Sequence, residues 1–117
     1  MLNMQSYEDV AVINLEGELG PQEIDQVGKT LISLLHKHQT KMVLNFQGVE
    51  HVHYPSIHPL INAIMKLKRY SGDLKFAGMN SYTKSIFRFM GVTDSVENFE
   101  TVPEAVLAFR SDWRTWH

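Results

Sequence analysis

The chain has no cysteine among its 117 residues, which excludes a disulfide framework and a thiolate metal site. Its charge is balanced. Eleven Lys and Arg against thirteen Asp and Glu leave a formal net charge of -2, and with the two signs interspersed there is no basic stripe to hold a nucleic-acid backbone by counterion release. Nucleic acid is not an expected partner. No apolar run approaches the roughly 20 residues that cross a bilayer, so direct membrane insertion is not expected. The opening Met1-Leu2-Asn3-Met4-Gln5 lacks the basic and apolar regions of a secretory signal, and a soluble, cytoplasmic protein is the expectation. Gly-rich phosphate loops, nucleophile elbows and the paired-histidine helix of metalloproteases are also missing. An enzyme is therefore not expected.

What the chain does contain is enough apolar residue for one core, 44% hydrophobic against 21% charged, and too little length for two. The expectation is one domain over residues 1–117. Val10-Ala11-Val12-Ile13-Asn14-Leu15 is β-branched and bounded by Glu8-Asp9 and Gly17, predicting a strand hairpinned with a shorter one near residues 2–6. Gly20-Pro21 opens a helix to about residue 38 with Ile24, Val27, Leu31, Leu34 and Leu35 inward. A second strand is predicted at Met42-Val43-Leu44-Asn45-Phe46, with Met42, Leu44 and Phe46 on one face.

The second helix is predicted to start near Pro55-Ser56, to carry Ile57, Leu60, Ile61, Ile64 and Leu67 inward, and to end at Ser71-Gly72 with glycine left-handed. Leu74-Lys75-Phe76-Ala77-Gly78 reads as the next strand. A short helix capped by Asn80 or Ser81 follows, with Tyr82, Ile86, Phe89 and Met90 predicted inward and Gly91 as its stop. After a short strand near Val96–Phe99, Thr101-Val102-Pro103-Glu104 has the spacing of a capping box and opens a last helix. Its apolar stripe is Val102, Val106, Phe109, Trp113 and Trp116. Strands punctuated by helices define an α/β fold: a mixed β-sheet of about four or five strands packed with about four helices.

Four segments in this order resemble a STAS domain, the fold of anti-sigma factor antagonists, over residues 8–110, which leaves 111–117 as a C-terminal extension. Val12-Ile13-Asn14-Leu15-Glu16-Gly17-Glu18-Leu19 is similar to the family's first long strand, and Lys41-Met42-Val43-Leu44-Asn45-Phe46-Gln47-Gly48-Val49 to its central strand. Phe76-Ala77-Gly78-Met79 and Phe87-Arg88-Phe89-Met90-Gly91-Val92 are similar to a later strand and the helix after it. The resemblance implies a non-enzymatic module that binds a protein partner. That partner would be an anti-sigma factor of the serine-kinase type, or alternatively the ATPase of a lipid-transport ABC system; a third reading is a homo-oligomeric signalling scaffold. No cofactor is implied.

The family's loop after the central strand reads Asp-Ser-Ser-Gly-Leu, and its first serine is phosphorylated by the anti-sigma kinase. Aligned on Val49 and Ile57, this chain has His53 for the aspartate, Tyr54 and Pro55 for the serines and Ser56 for the glycine. Gly20 likewise replaces an aspartate. A serine kinase would meet a phenol at Tyr54, followed by a proline that restricts it, so the phosphoacceptor role is not carried over to Tyr54. The resemblance then implies a partner surface of His53, Tyr54, Pro55 and Ser56, extended by His58 and Asn62 one helical turn apart. Tyr54 reads as an interface aromatic or as simple loop packing. Ser56 reads as the N-cap of the second helix in preference to a modified hydroxyl. His51, His53 and His58 have no carboxylate or cysteine at ligand spacing, so no metal site is expected. Trp113 and Trp116 either fold back on the core or form a patch for association.

Overall fold

The computed structural model describes residues 2–92 and 95–110. The element order is β1 (Leu2–Tyr7), β2 (Val10–Leu19), α1 (Pro21–His36), β3 (Lys41–Val52), a 3-10 turn (Tyr54–Ser56), α2 (His58–Arg69), β4 (Asp73–Ala77), α3 (Ser81–Phe89), β5 (Glu97–Phe99) and α4 (Val102–Phe109). The strands form one five-stranded sheet in the order β1-β2-β3-β4-β5. β1 is antiparallel to β2, and the other neighbours are parallel. Parallel neighbours need a crossover, and α1, α2 and α3 supply the three in turn. All three crossovers step the same way across the sheet, so one shared handedness places the helices on a single face.

The alternation along the strands shows this division. Ile13, Leu15, Met42, Leu44, Phe46, Leu74 and Phe76 pack with Ile24, Val27 and Leu31 of α1, Leu60, Ile64 and Leu67 of α2 and Phe87 of α3. Val10, Val12, Val43 and Ala77 point the other way, against Ala105 and Phe109 of α4. Leu44 and Phe76 are fully enclosed, and truncating either to alanine would cost about 3–5 kcal/mol in transfer and cavity energy. Three aromatic rings lock α3 to the sheet: Phe87 lies 5.6 Å from Phe46 and 5.1 Å from Phe76, and Phe46 meets Phe76 edge-on at 5.3 Å.

Helix ends follow local chemistry with two departures. Gly20 N donates to Glu23 Oε1 at 3.0 Å, Thr83 N to Asn80 Oδ1 at 2.8 Å and Glu104 N to Thr101 Oγ1 at 3.3 Å. Each satisfies a backbone donor that the first helical turn leaves free. Gly91, with φ +80°, stops α3 as expected. α2, by contrast, ends on Ser71 in the left-handed region at φ +67°. Gly72 instead gives room: a Cβ there would stand 2.7 Å from Leu67 Cγ. The second departure is the start of α2, which has Ile57 and not Ser56 at its N-cap and no side-chain cap.

β3 runs six residues past the expected Phe46. Among the described residues, β1 pairs with β2 over Val10–Leu15, and β4 pairs with β3 over Lys41–Asn45. Beyond those points β2 and β3 continue together as a two-stranded ribbon, Glu16–Leu19 against Gly48–Val52, with register shifts that mark bulges. Val49, Val52 and Leu19 remain buried along it, and this packing holds the pairing together through a stretch where glycines and like charges oppose it. The ribbon carries the next loop.

Candidate functional site

The His53-Tyr54-Pro55-Ser56 loop sits at the tip of that ribbon. His53 N donates to Leu19 O at 2.9 Å, so the ladder extends one residue past β3 before the chain turns. Two backbone bonds then close the turn, Ser56 N to His53 O at 3.0 Å and Ile57 N to Tyr54 O at 3.1 Å. Pro55 suits this turn because it fixes its own φ and has no N–H to satisfy. Ile57 is fully buried and anchors the far end of the loop in the core.

Ser56 does not cap α2. Its Oγ lies 2.8 Å from His53 Nδ1, a contact that spans the turn and uses the hydroxyl within the loop. α2 starts without a side-chain cap, and Leu60 N and Ile61 N bond back to Ile57 O at 3.0 and 3.1 Å. Pro59 in the first turn has no donor to leave unsatisfied.

Tyr54 is 59% exposed and lines an open cleft of about 380 Å³ with Tyr82, Ser85, Ile86, Phe89 and Met90 of α3 and its end. The expected inward stripe of α3 is thereby reversed in part. Thr83 and Phe87 are its buried residues, Ile86 and Met90 are only partly buried, Tyr82 is 42% exposed and Phe89 87% exposed. The reason is geometric: residues 83 and 87 share a face four apart, and Phe87 completes the aromatic trio under the sheet. Tyr82, Ile86 and Phe89 fall on the adjoining stripe, where Ile86 is partly buried and Phe89 is left open.

Tyr82 also ties this helix to the ribbon. Its ring stacks on His51 at 5.5 Å with planes 14° apart, and its hydroxyl donates to Val52 O at 3.4 Å. His51 is therefore an aromatic neighbour of α3, and His53 lies beyond the strand instead of projecting beside it. Among the described residues, no group of three or more histidine, aspartate or glutamate side chains could hold a metal ion.

The six residues expected to form one surface divide between two places. His53, Tyr54, Pro55 and Ser56 make the loop beside α3. Asn62 lines a separate groove between α1 and α2, with Asp25, Gly28, Lys29, Pro59 and Ala63. His58 is exposed at the start of α2. Tyr82 and Phe89 were missed as surface residues. Their signal was the apolar character of α3 around more than one face, since Tyr82, Ile86, Phe87, Phe89 and Met90 cannot all point inward on nine residues. Trp113 and Trp116 lie outside the described residues.

The family model of the STAS domain matches residues 1–105; the chain belongs to the STAS domain family. Solved structures share the fold at low identity. A Thermotoga maritima protein assigned as an anti-sigma factor antagonist superposes with a TM-score of 0.82 at 18% identity, covering 93% of this chain and 94% of its own. SpoIIAA in its unphosphorylated form gives 0.74 at 13% identity, covering 96% and 99%. The phosphorylated form of Bacillus SpoIIAA gives 0.73 at 16% identity, covering 93% and 99%. No curated protein matches the sequence. Among the described residues, no helix is long and apolar enough to cross a membrane.

Proposed function

We propose that this chain is a non-enzymatic regulatory module that binds a protein partner in a partner-switching pathway, in the manner of an anti-sigma factor antagonist, without serine phosphorylation at its loop. The observation that carries the proposal is the pairing of an exposed Tyr54 with the exposed Phe89 across one apolar cleft. Exposed aromatics clustered beside a rigid turn are the residue types that dominate protein interfaces, because they bury much area at little entropic cost.

Loss of the switch rests on the loop's residues. Phosphate adds roughly -1.5 to -2 charges and three acceptor oxygens, and in SpoIIAA a phosphorylated form exists beside an unphosphorylated one. Here the phosphoacceptor position holds Tyr54, the next holds Pro55, and the hydroxyl of Ser56 is bonded to His53. The expected partner is an anti-sigma factor of the serine-kinase type.

The test is reconstitution with the kinase-type anti-sigma factors of the source organism, ATP present, followed by binding measurements and intact-mass spectrometry. Binding that Tyr54→Ala or Phe89→Ala weakens roughly tenfold or more, with no added phosphate, is the expected result. Stoichiometric phosphate on Ser56 or Tyr54 would sink the unswitched reading. Binding of an ABC ATPase in place of the anti-sigma factors would replace the partner.

A further inference from the structure

Among the described residues, β1 lies at one edge of the sheet and pairs only with β2. Sheet edges invite pairing with another chain, and proteins guard them with charges, prolines, bulges or very short strands. β5, the opposite edge, is guarded: it has three residues and begins with Glu97. β1 has none of these devices. Its six residues, Leu2-Asn3-Met4-Gln5-Ser6-Tyr7, include no Lys, Arg, Asp or Glu and no proline, and they pair with β2 in unbroken register. Asn3 to Tyr7 are all exposed, Met4 at 52%.

An amide ladder leads to the same edge. Asn45 Nδ2 donates to Asn14 Oδ1 at 2.8 Å, and Asn14 Nδ2 donates on to Asn3 Oδ1 at 3.2 Å and Gln5 Oε1 at 3.1 Å. Side-chain amides therefore run from β3 through β2 to β1 on one face. At β1 the ladder reaches the edge with the amide NH2 groups of Asn3 and Gln5 as further donors.

We propose that two copies of this chain pair through β1, antiparallel and centred on Met4, to form a two-fold dimer with a continuous ten-stranded sheet. Residues directly opposite in an antiparallel pair share a face. Centring on Met4 sets Asn3 against Gln5 of the second copy, and Gln5 against its Asn3, so the two amide ladders join. On the other face Met4 meets Met4 across the axis and loses its exposure. The same register keeps α1, α2 and α3 of both copies on one side of the joined sheet. A two-fold contact of identical edges closes on itself, whereas the three-residue β5 edge is too short to match the six residues of β1 in an open chain.

Sedimentation equilibrium of the full chain across the micromolar range tests the dimer, with Met4→Lys as the disruptive variant. Like charges directly opposite at the axis should raise the dissociation constant at least about tenfold while leaving the circular dichroism spectrum and melting of the monomer unchanged. The absence of native cysteine gives a second readout: Met4→Cys should crosslink under mild oxidation, and Ser6→Cys, opposite Leu2, should not. A monomeric full chain, a dimer indifferent to Met4→Lys, or equal crosslinking at both positions overturns the proposal. The outcome is separate from the partner reading, which Phe89→Ala tests on α3.

Discussion

His53 Nδ1 and Ser56 Oγ stand 2.8 Å apart, and this side-chain contact spans the turn between β3 and α2. It occupies the hydroxyl from within the loop and reinforces the two backbone bonds of the turn. Tyr54 and Pro55 are held between its ends, with Tyr54 directed to the cleft beside α3.

Replacing Ser56 by alanine should therefore loosen the loop and leave α2 intact. Loss of one partly exposed hydrogen bond corresponds to about 0.5–1 kcal/mol. Denaturant unfolding should give that loss, and amide exchange should quicken at Ser56 and Ile57 but not through the body of α2. Faster exchange along the whole first turn of α2 would show that the hydroxyl caps the helix after all.

Thr83 gives a prediction of opposite sign. Its side chain is 1% exposed and its Oγ1 finds no hydrogen-bond partner among the described residues. An unsatisfied buried hydroxyl is costly, and valine keeps the branched shape without it. Thr83→Val should raise stability by about 1 kcal/mol, read as a higher denaturation midpoint with an unchanged slope.

Lys75, in the middle of β4, is buried, with 4% of its surface exposed. Its ammonium lies 2.7 Å from Glu97 Oε1 on β5 and 4.6 Å from the ring centre of Phe109 on α4. One side chain thus fastens a strand pair to a helix through its stem, its charge and an aromatic face. Lys75→Ala should cost about 2–3 kcal/mol. Lys75→Met should cost less than about 1.5 kcal/mol, because a well-packed apolar chain of similar volume replaces the ion pair. Equal losses in thermal or denaturant unfolding would assign the whole effect to charge.

Asp9 supplies a pH dependence. Its carboxyl is held below the ordinary 3.8 chiefly by the hydrogen bond from Lys41, whose Nζ lies 2.8 Å from Oδ2. With the folded value below the unfolded one, the contribution is present above the unfolded value and is lost as pH falls through the folded one. Asp9→Asn should lower the melting temperature slightly at neutral pH and match the unaltered protein in acid below that range. A difference that persists there would mean Asp9 acts through packing.

Local signals made much of the fold legible. Alternation marked the strands, helical spacing marked Ile24, Val27 and Leu31 as inward, and the Asn80, Thr101 and Gly91 signals placed helix ends where they occur, because each depends on residues within a turn of one another. The second half of β3 was not legible. Gln47-Gly48-Val49-Glu50-His51-Val52 has weak strand character and stays extended because β2 lies beside it. The Ser56 cap failed for a similar reason: a serine before a helix can bond to the helix or back into its own turn, and the position of His53 decided between them.

Alone, the sequence determined the α/β order and the buried faces of the long strands, since composition and short-range spacing dictate both. Tertiary structure decided which face of α3 was free. Phe87 and Phe89 are equally apolar in sequence, but only Phe87 can reach Phe46 and Phe76, and that one packing choice turns Phe89 out beside Tyr54. The unguarded edge at β1 was decided in the same way, by where the sheet ends.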